Sequence, residues 1–136
     1  DGIEYPAILN GKKLKNNFYL GSKKELIKFK SIKVRHGKIN SIGYIFCNTA
    51  YFSDCNELSN SNLNKLKNLK YFIIDCLRFN PHPSHFSLSE VLDVLKEIKP
   101  TNTILTNLHS DLDYNILLQK LPINVKPAFD GLKIQL

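Results

Sequence analysis

Four stretches of this chain place metal- or proton-handling side chains directly after runs of strand character. They are VRHG with His36, YFSDCNEL with Asp54, DCLRFNPHPSHFS with Asp75, His82 and His85, and ILTNLHSDLDY with Asn107, His109, Asp111 and Asp113. Imidazole combined with carboxylate is a donor set for zinc or manganese, and a bridging carboxylate can hold two ions a few ångströms apart. Taken singly, each residue has an ordinary explanation. A histidine before glycine is often a turn residue, Asp54 and His85 can start the helices that follow them, and Asp111 or Asp113 can be an N-cap. Spaced at separate strand ends, however, they can converge on one edge of a sheet, where α/β proteins commonly build their sites.

The elements that must position them are legible as patterns. FYLGSKKELIKFKSIKVRHG reads as two strands around a Gly21-Ser22 turn, with Ile27, Phe29, Ile32 and Val34 as the apolar positions. The alternation slips near Ser31, which suggests a bulge or bend. After a turn at 37–41, IGYIFC and TAYFSD form a hairpin around Cys47-Asn48. Leu58, Leu63, Leu66 and Leu69 fit a short amphipathic helix capped near Ser59 to Ser61. KYFIIDCL is nearly all apolar, as expected of a strand buried on both faces. In SLSEVLDVLKEIK, Ser87 and Glu90 make a capping box, Leu88, Val91, Leu92, Leu95 and Ile98 share one face, and Pro100 stops the helix. NTILT is the next strand, DYNILLQKL another helix, and FDGLKIQL a turn and a closing strand. The first half is thus a run of antiparallel strands and the second reads β-α-β-α-β. No repeat or low-complexity linker divides residues 1–136, so a single domain is expected.

Composition narrows the classes. Of 136 residues, 43% are hydrophobic and 23% charged, which is the balance of a folded globular chain with a real core. No apolar run approaches a membrane span and no signal pattern opens the sequence. The net charge is +7, and ten of nineteen basic residues fall in the first forty positions, against Asp1, Glu4 and Glu25. That bias allows a phosphate-attracting patch and a basic binding module as an alternative function. Only Arg35 and Arg78 are arginines, so sequence-specific nucleic-acid contacts are not expected. Cys47, Cys55 and Cys76 are odd in number and lack C-x-x-C spacing, which points to buried thiols in a reducing cytoplasm. The chain opens at Asp1 and holds no methionine, and it reads as a piece of a larger or processed product.

The succession VRHGKINSIGYIF, AYFSDCNEL, DCLRFNPHPSHFSLSEVLDVLKEIKP, ILTNLHSDLDY and LPINVKPAFDGLKI resembles the C-terminal half of a metallo-β-lactamase-fold hydrolase, from about Tyr5 to the end. The branch it resembles is that of the phosphonate-pathway cyclic phosphodiesterases, related to the tRNA 3′-processing ribonucleases. The resemblance implies an α/β fold: half of an αββα sandwich, a mixed sheet with helices on one face. It also implies that His36 is a ligand of the first metal and Asp54 the carboxylate bridging two metals. His85 becomes an active-site histidine that binds phosphate or protonates the leaving group. The family's last ligand of the second metal falls at Asn107, and His109 matches neither family histidine of that loop.

The family's H-x-H-x-D-H signature, four of its seven ligands, is absent from the sequence. With His36 and Asp54 as the ligands left, no stably bound zinc or manganese is expected, and the chain alone should be inactive. The alternative is an active hydrolase half completed by a partner chain that carries the N-terminal signature. A lone half-sandwich would also leave Ile27, Phe29, Tyr44 and Phe46 on an open sheet face, so a homodimer packing sheet on sheet is expected.

Overall fold

Lys28 and Lys30 alternating with Ile27 and Phe29 give the second strand one wet and one apolar side, and the chain pairs accordingly. In the computed structural model, residues 10–136 are described; the start of the family resemblance at Tyr5 lies outside them. Strands β1 (Asn17–Ser22), β2 (Glu25–His36), β3 (Ile39–Phe46) and β4 (Thr49–Phe52) are successively antiparallel, and β5 (Tyr71–Asp75), β6 (Asn102–Thr106) and β7 (Val125–Pro127) continue the sheet in parallel. The seven strands lie side by side in sequence order. Helices α1 (Asn60–Lys65), α2 (Leu88–Ile98) and α3 (Tyr114–Lys120) make the three parallel crossovers. Successive crossovers of one hand in one direction must lie on one face. Their residues Leu63, Val91, Ile98 and Leu117 accordingly join a single core with Ile32, Val34, Ala50, Phe52, Phe72, Ile74, Leu105 and Val125 of the sheet. The expected architecture, a mixed sheet with helices on one face, is the one observed.

Several local expectations hold for the reasons given. Cys47 and Asn48 both take positive φ, 44° and 56°, as a two-residue type I′ hairpin demands. Ser59 caps α1 by accepting from Asn62 N, and Glu90 accepts from the Ser87 N–H at 2.8 Å and its hydroxyl at 2.6 Å. Lys99 ends α2 in the left-handed region, directly before Pro100.

Others need correction. The first turn is Lys23-Lys24, with Gly21 and Ser22 still paired to Leu26 and Glu25. The second is only Gly37-Lys38, so β3 begins at Ile39. No bulge forms at Ser31: the ladder from β2 to β3 runs unbroken from Lys30 to His36. The slip in alternation records a change of apolar face, since Ile32 and Val34 point into the helix-covered core while Ile27 and Phe29 belong to the opposite side. For the same reason β5 is not buried on both faces. Phe72 and Ile74 are buried, whereas Tyr71 and Ile73 are half-buried on the side away from the helices. The closing strand is VKP at 125–127 and not FDGLKIQL, whose residues pair with no strand; Phe129, Leu132 and Ile134 instead line a pocket with Tyr71 and Ile104 of the sheet. Cys47 is exposed because it sits in the hairpin turn; only Cys55 and Cys76 are buried.

Gly43 shows how tightly the covered face is packed. A Cβ there would overlap the ring of Phe52, itself 1% exposed in the core. Gly43→Ala is therefore expected to lower stability by about 1–3 kcal/mol, read as a lower urea midpoint at unchanged slope. An unchanged midpoint would mean that the ring has room to move.

Candidate metal-binding edge

Because β2 runs parallel to β4, β5 and β6, all four strands finish at one edge of the sheet. His36 is the last residue of β2, Asp54 lies two beyond β4, Asp75 ends β5 and Asn107 follows β6. Backbone bonds then draw the connecting loops together. Asn56 N donates to Arg35 O at 3.0 Å and Gly37 N to Asn56 Oδ1 at 2.8 Å, which fixes the Asp54 loop beside His36. Phe86 N donates to Cys55 O at 3.0 Å and Leu77 N to Phe86 O at 2.9 Å, which returns the PHPSH loop to the same place. Arg78 braces that loop, donating to the carbonyls of Asn80 at 3.2 Å and Pro81 at 2.7 Å.

Side-chain donors of His36, Asp54 and His85 consequently lie within 4.8 Å of one another. The two imidazole rings meet edge to face at 4.7 Å between centroids. Each ring uses Nδ1 elsewhere: His36 donates from it to the Ser84 carbonyl at 2.8 Å, and His85 contacts Asp75 Oδ2 with it at 2.5 Å. Asp54 accepts the Ser53 hydroxyl on Oδ2 at 2.8 Å. Asp75 is fully buried and also accepts from Cys55 N at 3.1 Å and from Asn107 Nδ2 at 3.1 Å. Burial pushes its carboxyl up from the ordinary value, while the bonds from His85, Asn107 and Cys55 N–H oppose that rise.

Where the family resemblance leaves two ligands, the fold thus gathers three candidate donors. Two imidazoles and a carboxylate, with part of the site open to water, fit a zinc- or manganese-type ion. Such an ion, when bound, supplies a water acidified toward neutral pH. Asn107 does not join the cluster. It holds a left-handed φ of 61°, which Asn tolerates, and spends its amide on Asp75. His82 stands beside His85 at 5.2 Å between ring centroids, its Nδ1 accepting from Ser84 N at 3.4 Å. His109 is 60% exposed and pairs with Asp111 at 3.0 Å, away from the cluster. Asp113 is the N-cap of α3, accepting from Ile116 N at 2.9 Å.

Sequence reasoning underrated Asp75, the organiser of the site. The available signal was a carboxylate closing an otherwise apolar run, a position that buries it and so requires partners. Two flanking thiols share its burial. Cys55 and Cys76 are 0% exposed, and burial, with nearby Asp75 and Asp111, pushes the Cys76 thiol up to about 12. Iodoacetamide at mildly alkaline pH is expected to add once to the native chain, at Cys47, and three times after unfolding in urea. Native labelling of Cys55 or Cys76 would show that this edge opens readily.

A crystal structure of a diphosphatase from the PhnP family superimposes with a TM-score of 0.82 at 27% identity, over 90% of this chain and 47% of that one. The metallo-β-lactamase-fold protein YhfI of Bacillus subtilis gives 0.72 at 15% identity, over 96% and 57% respectively. The short form of human tRNase Z gives 0.63 at 14% identity, over 88% and 47%. The octanoyltransferase of Porphyromonas gingivalis (strain ATCC BAA-308 / W83) is 26% identical over 105 residues, 75% of this chain and 21% of that protein. The shared segment is a fifth of that protein, so its name assigns no activity to the segment. No family model matches the sequence. The chain has half of the metallo-β-lactamase fold, and it spans about half the length of these solved relatives. Among the described residues no helix is long and apolar enough to cross a membrane.

Proposed function

We propose that this chain is one half of a metal-dependent, phosphodiesterase-type hydrolase of the metallo-β-lactamase fold, and that alone it does not turn over phosphodiesters. What carries the reading is the likeness to the PhnP-family diphosphatase along 90% of the chain, together with the gathering of His36, Asp54 and His85 at one sheet edge. Two features support inactivity alone. The sequence holds no H-x-H, so four ligands of the related enzymes have no counterpart in it, and the second-metal position is the amide Asn107. With a second ion and the opposite wall of the pocket missing, neither the attacking nor the leaving oxygen is clamped. Cytoplasmic residence fits three unpaired thiols, one of them exposed.

The test is hydrolysis of bis(4-nitrophenyl) phosphate with zinc or manganese present. No turnover above the metal-only background is expected. Metal-dependent turnover that disappears in Asp54→Ala would overturn the inactivity. The open sheet face favours one further reading, in which a chain carrying H-x-H-x-D-H completes the site. Adding such a half should then restore turnover, again lost in Asp54→Ala.

A further inference from the structure

We propose that His36, Asp54 and His85 form a single-ion site of this chain's own, with His85 as a metal ligand. This goes beyond the hydrolase reading, in which His85 handles phosphate or the leaving group, and it does not depend on any turnover.

The argument rests on what surrounds each donor. A histidine that binds metal through one ring nitrogen almost always gives the other to a carboxylate or carbonyl, which fixes tautomer and ring orientation. Both histidines satisfy that condition with different partners, His36 through the Ser84 carbonyl and His85 through buried Asp75. In each ring Nδ1 carries the proton toward its acceptor, so Nε2 is left with a free lone pair. Asp54 is oriented by Ser53 on one oxygen and keeps lone pairs for an ion. Asn107 anchors the far oxygen of Asp75, so the residue at the family's ligand position serves here as an outer support.

Geometry and composition agree with a zinc-type ion. Donors bound tetrahedrally at about 2.0–2.1 Å stand roughly 3.4 Å apart, so a cluster spread within 4.8 Å closes by side-chain shifts of about 1 Å. Two imidazoles and one carboxylate make three protein ligands, which suffice for such a site, and Asp54 is exposed, so water can complete the set. His109 and Asp111 pair with each other at the surface and take no part.

The test is titration of the full chain with zinc and with cobalt(II), following heat and the cobalt visible spectrum. About one ion per chain is expected, in a tetrahedral ligand field. His36→Ala, Asp54→Ala and His85→Ala should each weaken binding by at least tenfold, and Asp75→Asn by about tenfold, because a neutral amide replaces the carboxylate that orients His85. His109→Ala should bind as the unaltered chain does. His85→Cys gives a readout that a merely structural role would not produce: a thiolate-to-cobalt charge-transfer band. Unchanged affinity in His85→Ala, or a His85→Cys protein that binds cobalt without that band, would overturn the assignment of His85. No binding at millimolar metal by the folded chain would overturn the site as a whole. The hydrolase reading would survive either result, because it is judged by turnover.

Discussion

Replacing Asp75 with alanine lowers the unfolding free energy by about 3–5 kcal/mol, the largest loss expected from any single change at this edge. The carboxylate is fully buried and accepts three donors, from Cys55 N, His85 Nδ1 and Asn107 Nδ2. Alanine removes all three acceptors and leaves a small void. His85 and Asn107 reach solvent, so water can replace part of what they lose; the Cys55 N–H lies deep and cannot be so compensated. Asp75→Asn keeps the shape and one acceptor oxygen, so its loss should be nearer 1–2 kcal/mol. The amide oxygen is expected at the Oδ2 place, where it still accepts from Cys55 N and His85 Nδ1, while its NH2 faces Asn107, so the His85 ring proton stays on Nδ1. Urea unfolding measures the losses, and nitrogen chemical shifts of His85 read the place of the proton. An alanine variant within about 1 kcal/mol of the unaltered chain would show that the network is ornamental to the fold.

The sequence carried the elements better than it carried the wiring between them. Capping at Ser59 and Ser87, the Cys47-Asn48 hairpin and the 102–106 strand depend on contacts within a few residues, and such signals are local. FDGLKIQL does not pair as a strand, although Leu132, Ile134 and Leu136 alternate as strand residues do. The edge next to β6 is instead taken by VKP, three residues whose proline hides any strand signal. Ser31 misled for a related reason: a change of apolar face and a bulge look alike in one dimension, and only the neighbouring strand separates them.

The site was legible in part for a physical reason as well. His36, Asp54 and Asn107 sit at strand ends, so parallel topology alone brings them to one edge. The junction of His85 with His36 needed Phe86–Cys55 and Ser84–His36 bonds between loops remote in sequence. No local pattern encodes those bonds. The resemblance supplied the positions of His36, Asp54 and His85, and the loop bonds bring the three to one place.

The purified chain is expected to form a homodimer through the uncovered side of its sheet, the second large effect. Phe18 stacks on Phe29 at 5.4 Å and Phe29 on Phe46 at 4.6 Å, with Tyr44 edge-on to Phe18 at 6.1 Å. The ladder shields itself only in part, and Leu20, Ile42 and Tyr51 beside it are 55%, 42% and 37% exposed. Burying a side chain of this size stabilises by about 1.5–3 kcal/mol, so half a dozen per subunit outweigh an association cost of about 4–15 kcal/mol. The net of about 8 kcal/mol that micromolar dissociation requires lies within that span. Charge works against it, since each copy carries +7. Screening that repulsion should make the dimer tighter as salt rises from about 0.01 M to about 0.15 M, where the screening length falls from about 30 to 8 Å. Phe29→Asp places a carboxylate in the middle of the ladder and should weaken the dimer by at least 30-fold, leaving the helix-covered core and its unfolding cooperativity intact. Sedimentation velocity across protein and salt concentration measures both effects. A monomer at tens of micromolar and physiological salt would sink the homodimer. The ladder would then stand free for the sheet of a separate H-x-H-x-D-H chain, and co-sedimentation with such a chain is the result expected in that case.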